Sequence, residues 1–194
     1  MTIVEHEPVV PRGLVERAKN ILINPPKEWE VIDAEPATIR GIYTGYLVYI
    51  AAISPVARCI GDVVFGHVPL LSALVVAVIS YALWLVLTYA MALLIEALAP
   101  RFGGQRDRVQ AFKVAAYSST ASAVAGIFAL VPALSPLAIF GLYGLFLLWL
   151  GLPKLMRVAQ DRALTYYAAV LISLLLVGIV LSFLLGPIMT LARV

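Results

Sequence analysis

Charged residues are scarce in this chain. Only 13% of its 194 residues are Asp, Glu, Lys or Arg, whereas 62% are hydrophobic. Soluble domains are roughly a quarter charged and about half apolar. So few charges cannot cover the surface of a soluble fold of this length. The composition therefore predicts a polytopic membrane protein.

Cysteine and histidine are also rare, which excludes several kinds of site. Cys59 is the only cysteine, so neither an internal disulfide nor a multi-cysteine metal centre can form. His6 and His67 are too few for a zinc set. The sequence has no phosphate-binding loop, no nucleophile elbow and no basic cluster alternating with aromatic residues. We therefore expect no enzyme activity, no cofactor and no nucleic-acid partner.

The first 37 residues lack the basic start and short apolar run of a secretory leader. They are polar and contain several prolines, so we expect the first hydrophobic segment to remain in the mature protein. The sequence thus divides into a cytoplasmic tail with an amphipathic helix, residues 1–37, and a transmembrane domain, residues 38–194.

Five apolar runs are long enough to cross a bilayer, which takes roughly 20 residues in a helix. A membrane-spanning backbone must satisfy its own hydrogen bonds, and no run alternates with the period of two that a membrane strand would show. The predicted fold class is an all-α integral membrane bundle of five transmembrane helices preceded by an interfacial amphipathic helix. The five predicted spans are Thr38–Cys59, Leu70–Ala97, Val109–Val131, Leu137–Pro153 and Ala163–Leu191.

The basic residues lie almost entirely on one side of these spans. Twelve of the 14 Lys and Arg residues fall in the N-terminal segment, near the connection at residues 98–108, or in the connection at residues 154–162. Only Arg58 and Arg193 fall on the other side. Because basic loops stay in the cytoplasm, we expect a cytoplasmic N-terminus and a C-terminus outside.

The N-terminal tail contains an amphipathic pattern. In residues 12–23, apolar residues recur at helical spacing opposite Arg12, Arg17 and Lys19. Such a helix can lie among anionic lipid headgroups, and Trp29 follows it where an interfacial ring is favoured. An alternative is a helix that binds a protein partner. The predicted membrane-anchor residues are Leu14, Ile21, Leu22 and Trp29.

The third span carries the densest polar set. Gln110, Lys113, Tyr117 and Thr120 follow a spacing of i, i+3, i+7 and i+10, which places them on one helix face. We call this set the polar stripe. Ionisable residues inside a membrane are candidates for function, so the stripe could line a substrate path. The alternative is helix packing, with Lys113 reaching toward the headgroups.

Two ion pairs are predicted from position alone. Glu96 and Lys113 lie at similar depth near the cytoplasmic side, where pairing would avoid a lone charge in a low dielectric. Arg58 and Asp62 are four residues apart at the outer end of the first span. Without a second histidine or a carboxylate pair nearby, the Arg58–Asp62 pair is interpreted as interfacial charge.

Four stretches resemble one family. They are "RAKNILINPPKEWEVIDAEPAT" (17–38), "FKVAAYSSTAS" (112–122), "GIFALVPAL" (126–134) and "LYGLFLLWLGLPKLM" (142–156). In this order they resemble the Yip family, the Ypt/Rab-interacting integral membrane proteins, in its bacterial branch. One departure is Ala121, where family members often have a proline that would kink the third helix.

The resemblance implies five membrane helices with a cytoplasmic N-terminus, in a bacterial inner membrane. For eukaryotic relatives it also implies interaction with small GTPases and roles in vesicle traffic or membrane shape. The leading hypothesis is a non-enzymatic membrane protein that organises the bilayer or binds partners, as a homo-oligomer or with another membrane protein. The alternative is a transporter of small molecules or ions that uses the polar stripe.

Overall fold

The computed structural model describes residues 13–191, of which residues 184–191 are described by their backbone alone. It confirms the all-α class and the five spans, and no strand occurs among the described residues. Two short helices come first, and five long helices follow. In chain order they are α1 Leu14–Ile23, α2 Pro25–Ala34, α3 Ile39–Val64, α4 Leu70–Phe102, α5 Arg108–Leu130, α6 Pro132–Leu155 and α7 Gln160–Leu191.

The helix ends follow local sequence chemistry. The Asp107 carboxylate caps α5 by accepting from the Gln110 backbone N–H at 2.9 Å, and the Thr38 hydroxyl caps α3 in the same way. Pro25 opens α2, where its missing N–H costs nothing. Gly103 ends α4 with φ +78°, a left-handed conformation that glycine adopts without strain.

Helix α5 is the central helix of the bundle. In its membrane-spanning segment 56% of residues are buried, compared with 11% in the corresponding segments of α4 and α7. Small side chains allow the neighbouring helix α6 to approach closely. A Cβ atom added at Gly144 of α6 would lie 2.9 Å from the Ser118 carbonyl oxygen of α5. The close approach leaves α5 surrounded by protein rather than by lipid.

The connection between α5 and α6 is shorter than the predicted spans imply. A 3₁₀ helix begins at Pro132, within the gap expected between Val131 and Leu137, and continues to Leu142. The fourth long helix therefore starts five residues before the predicted Leu137. Pro132 fits the first turn of a helix, so the connection shrinks to Val131. Helix α5 is also interrupted at Ser119, although Ala121 stands where a proline was expected.

The N-terminal helices α1 and α2 form a hairpin that packs against the bundle. Helix α2 lies along α6, and α1 reaches residues 120–125 of α5. The Tyr143 hydroxyl of α6 donates to the Leu22 carbonyl near the hairpin turn at 3.1 Å. Residue 120, where the contact of α1 with α5 begins, lies 12 residues after Arg108. At about 1.5 Å per residue, this is roughly 18 Å along the helix. The hairpin is wedged beside the long helices and shares their core.

Candidate functional site

A buried charged cluster joins the hairpin to α5. The Arg17 guanidinium donates to Glu28 Oε1 at 2.8 Å and also to Glu35 Oε2. The side chains of Arg17 and Glu28 are only 3% and 2% exposed. The Arg17 guanidinium also lies over the Tyr117 ring, 5.5 Å from its centroid. We call these residues, with Lys113, the Arg17 cluster.

Lys113 binds the C-terminal end of α2. Its ammonium donates to the carbonyl oxygens of Ile32 and Glu35, each at 2.7 Å. The last carbonyls of a helix lack partners within the helix and carry partial negative charge. The Lys113 side chain therefore supplies hydrogen-bond donors to carbonyls at the end of α2 and neutralises the partial negative charge there. Lys113 is buried, so it does not extend toward the headgroups.

The rest of the polar stripe also bonds within the protein. Thr120 shares a 2.7 Å hydrogen bond with the Tyr46 hydroxyl of α3, and the Tyr46 and Tyr117 rings contact edge to face. The Gln110 amide donates to Asp33 of α2, although its carbonyl oxygen has no partner among the described residues. The structure therefore packs the stripe against α2 and α3.

Trp29 is packed inside the protein rather than at a lipid-facing surface. It is fully buried, and its ring lies against Gly151 of α6, where an added Cβ atom would lie 2.7 Å from Cζ2. Its indole N–H has no hydrogen-bond partner among the described residues. The two contact residues belong to the first and last of the four stretches used for the resemblance.

The predicted membrane-anchor set is corrected in the same way. Ile21 is fully buried in the shared core, and Leu14 and Leu22 pack against it as half-buried residues. These residues face protein because α6 and α5 offer a closer apolar surface than lipid would. The exposed apolar residues of the hairpin are instead Val15 and Ile23, at 76% and 71%.

The basic residues predicted to face the headgroups do not share one environment. Arg17, expected at the headgroups, is buried in the Arg17 cluster and cannot reach them. Lys19 is exposed, and Arg12 lies outside the described residues. Arg17 is buried because Glu28 of α2 and Glu35, just after α2, provide the anionic partners that a lipid headgroup would otherwise supply.

The predicted Glu96–Lys113 pair does not form. Glu96 instead accepts from Arg108 Nε at 2.8 Å and from Arg106 Nε at 3.3 Å, across the turn between α4 and α5. Lys113 faces away, toward α2. The prediction used depth alone, and depth does not determine which side of a helix a residue occupies. The predicted Arg58–Asp62 pair is present at 3.7 Å, with Arg58 half exposed.

Two exposed pairs border the hairpin. Lys154 of α6 donates to Glu30 at 2.9 Å, and Arg157, just after α6, donates to Asp33 at 2.8 Å. Both basic residues follow the Gly-Leu-Pro stretch at residues 151–153. Together with the Trp29–Gly151 contact, these pairs hold α2 along the last two turns of α6.

Sequence reasoning missed Glu28 and Glu35. A signal for Glu28 was present, because Pro25, Glu28, Trp29 and Ile32 follow a spacing of i, i+3, i+4 and i+7 and are all buried. Arg17 likewise lies three and four residues from Leu14 and Ile21 on the apolar face of α1. Opposite charges on the apolar faces of consecutive helices predict that the two faces meet.

No group in the described part of the chain is arranged to hold a metal ion, since no three His, Cys, Asp or Glu side chains come together there. On the other face of α5 lies a cavity of about 810 Å³ between α4, α5, α6 and α7. None of the four stripe residues lines this cavity.

Comparisons with known proteins agree with this architecture. Residues 19–182 match the Yip1 domain. The inner membrane protein YohC of Escherichia coli strain K12 is 26% identical over 161 residues, which cover 76% of this chain and 83% of YohC. YohC of Escherichia coli O6:H1 matches to the same extent. No solved structure matches the chain.

The matched region begins within α1 and ends within α7, so it includes the hairpin as well as the five spans. Five apolar helices and relatives named as inner membrane proteins support an integral protein of the inner membrane. Since the domain match covers most of its residues, the chain belongs to the Yip1 domain family.

Proposed function

We propose that this protein is a non-enzymatic membrane scaffold that organises the bilayer or holds a protein partner through its N-terminal hairpin. The observation that carries the proposal is the position of the hairpin. It fills the face of α5 that carries the polar stripe, and the stripe bonds to α2, α3 and Arg17. A transporter that used this stripe would need water beside it, and the contacts of the hairpin with the stripe support the scaffold instead.

The outer surface of the hairpin supports a binding role. Val15 and Ile23 expose apolar side chains beside the exposed Lys19 and Lys27. Apolar residues mixed with cations suit either anionic lipid headgroups or an amphipathic protein surface. The buried charges hold this surface in a fixed position, because moving the hairpin would leave Arg17 and Lys113 without their partners.

The scaffold and transporter hypotheses are separated by water access to the stripe. Tyr117→Cys and Thr120→Cys would be made in a Cys59→Ala background, and Ile172→Cys, on the exposed part of α7, would provide a lipid-facing comparison. In vesicles, a small membrane-impermeant thiol reagent should label neither stripe position from either side. Labelling of Tyr117→Cys or Thr120→Cys at the rate of a water-exposed loop cysteine would overturn the scaffold hypothesis.

The choice between lipid and protein partners is tested by photo-crosslinking in cells. A photoreactive amino acid at Ile23, which is 71% exposed, is compared with one at Ile21 of the same helix, which is fully buried. Reproducible adducts to one protein at position 23 and none at position 21 would support partner binding. Adducts to lipid alone would restrict the proposal to bilayer organisation, and equal adducts at both positions would contradict the docked hairpin.

A further inference from the structure

A second feature of the bundle is unrelated to the hairpin. The cavity of about 810 Å³ opens between α7 and the helices α4, α5 and α6. Helix α4 contributes a face that runs from Ser80 to Leu94, and α7 contributes one from Leu174 to Leu181. The α5 residues in its wall are Ser118, Ser119 and Ser122, which face away from the polar stripe. We call this cavity the lateral slot.

The lateral slot lies beside the less buried part of α7. Among residues 160–183 of α7, the buried ones are Ala163, Tyr166 and Val170, and no side chain at residues 171–183 is buried. The Tyr166 hydroxyl donates to the Ile95 carbonyl at 2.7 Å and holds α7 against α4 there. Beyond this contact, α7 forms one wall of the slot between Leu174 and Leu181.

The lining of the slot favours a hydrocarbon occupant. Four of its five hydroxyl groups already have acceptors, since Ser118 donates to the Ala115 carbonyl at 3.3 Å, Ser119 to the Ala116 carbonyl at 2.8 Å and Ser122 to the Gly141 carbonyl at 2.9 Å. Thr88 donates to the Trp84 carbonyl at 2.9 Å. With these groups satisfied, a water molecule or polar solute would find few partners, and apolar cavities stay dry. The slot lies within the membrane-spanning helices, where the surrounding solvent is lipid.

The size of the slot is that of a ligand site. Its volume of about 810 Å³ falls in the range of small-molecule binding sites, roughly 300–1,000 Å³. An apolar slot of this size within the membrane-spanning helices suits a ligand drawn from the hydrocarbon of the bilayer.

The length of the slot suits a lipid tail. Ser80 and Leu94 are 14 residues apart, so the α4 wall of the slot is about 21 Å long at about 1.5 Å per residue. The hydrocarbon core of a bilayer is about 30 Å thick, so each leaflet contributes about 15 Å. A wall of this length therefore accommodates an acyl chain.

We propose that the lateral slot binds an acyl chain of a bilayer phospholipid. The chain lies along the α4 face between Ser80 and Leu94. The glycine at position 178 provides room for it, because a Cβ atom added there meets no atom within 4 Å. This site is independent of the hairpin and of the proposed scaffold role.

The test uses the full-length protein in nanodiscs that contain phosphatidylethanolamine with a diazirine in its acyl chain. After illumination, peptide mass spectrometry compares adducts at Trp84 and Met91 inside the slot with adducts at lipid-facing Phe183. Gly178→Leu fills the space of about four methylene groups, so the ratio of slot adducts to Phe183 adducts should fall at least about tenfold. Gly45→Leu is the matched control, since position 45 also has no atom within 4 Å and lies outside the slot.

Ser80→Leu fills the slot from the opposite wall and provides a second variant in case Gly178→Leu fails to fold. It should lower the same ratio while Gly45→Leu leaves it unchanged. An unchanged ratio in both filled variants would overturn the proposal, because the lipid would then contact Trp84 without entering the slot. Adducts at Trp84 and Met91 that are no more frequent than adducts at Phe183 in the unaltered protein would overturn it as well.

Discussion

The basic half and the opposite half of this bundle pack in different ways. In the basic half, the hairpin, α5 and α6 bury Arg17, Glu28 and Lys113 with bonded partners. In the opposite half, no side chain at residues 171–183 of α7 is buried, and Ile172 and Phe183 are exposed at 58% and 78%. Lipid tails are as apolar as leucine, so nothing draws apolar helices together in a bilayer except close packing and hydrogen bonds. In the basic half, the buried polar partners supply those hydrogen bonds.

We expect the basic half to face the cytoplasm. A topology reporter tests this orientation with an all-or-none result. A reporter fused after residue 194 should report an outside location, and one inserted within residues 99–108 should report the cytoplasm. The reason is the distribution of the basic residues. A cytoplasmic C-terminus would reverse the assignment of the two halves or require another number of crossings.

The largest graded effect should come from Arg17 in the basic half. Arg17→Ala leaves the Glu28 and Glu35 carboxylates without their shared cation, and breaking a buried pair in this way costs roughly 3–5 kcal/mol. Thermal unfolding in detergent measures the loss. The exposed Lys19→Ala on the same helix should change stability by no more than about 0.5 kcal/mol. Equal effects of the two substitutions would mean that the Arg17 cluster does not hold the hairpin.

A smaller loss is expected at Gly151, where α2 meets α6. The added methyl group of Gly151→Ala would lie within 2.7–3.0 Å of three Trp29 ring atoms. Forcing extra volume into a packed contact costs roughly 1–3 kcal/mol, and Trp29 should move toward solvent with a red shift of its fluorescence. Gly178→Ala in the opposite half has open space and should change stability little. A red shift that is equal in both variants would contradict the contact.

The charges at the α4–α5 turn should give a loss near 1 kcal/mol. A double-mutant cycle between Glu96 and Arg108 should show a coupling of about 1 kcal/mol or less, because Arg108 is half exposed. The same cycle between Glu96 and Lys113 should be additive within about 0.5 kcal/mol, since the two share no partner. A larger coupling for the second pair would restore the original prediction from sequence.

The smallest effect is expected at the exposed edge of the hairpin. Glu30 is 67% exposed and Lys154 is 32% exposed, so their pair should contribute no more than about 0.5 kcal/mol. Salt screens exposed pairs far more than buried ones. The stability difference between Glu30→Gln and the wild type should disappear at high salt, while that of Arg17→Ala should persist. A salt-resistant effect at Glu30 would place the pair in a drier environment than its exposure indicates.

The sequence predicted the spans well because each span depends on local properties. Apolar runs of about 20 residues are sufficient to define a membrane helix, and Leu70 was predicted correctly as the start of α4. The start of the fourth span was predicted five residues late, at Leu137 instead of Pro132, although proline fits the first turn of a helix. The polar stripe was likewise found by its spacing, since Gln110, Lys113, Tyr117 and Thr120 do share one face.

What covers the stripe could not be derived from spacing. The sequence by itself determined a five-helix membrane protein with its basic residues on one side, because hydropathy and charge act locally. Only the tertiary structure decided that Arg17 pairs with Glu28, that Lys113 binds the end of α2 rather than Glu96, and that Trp29 packs on Gly151. These contacts join residues 11 to 122 positions apart, and each depends on which helix faces which neighbour. That choice results from packing and charge pairing across the whole bundle, which no single segment encodes.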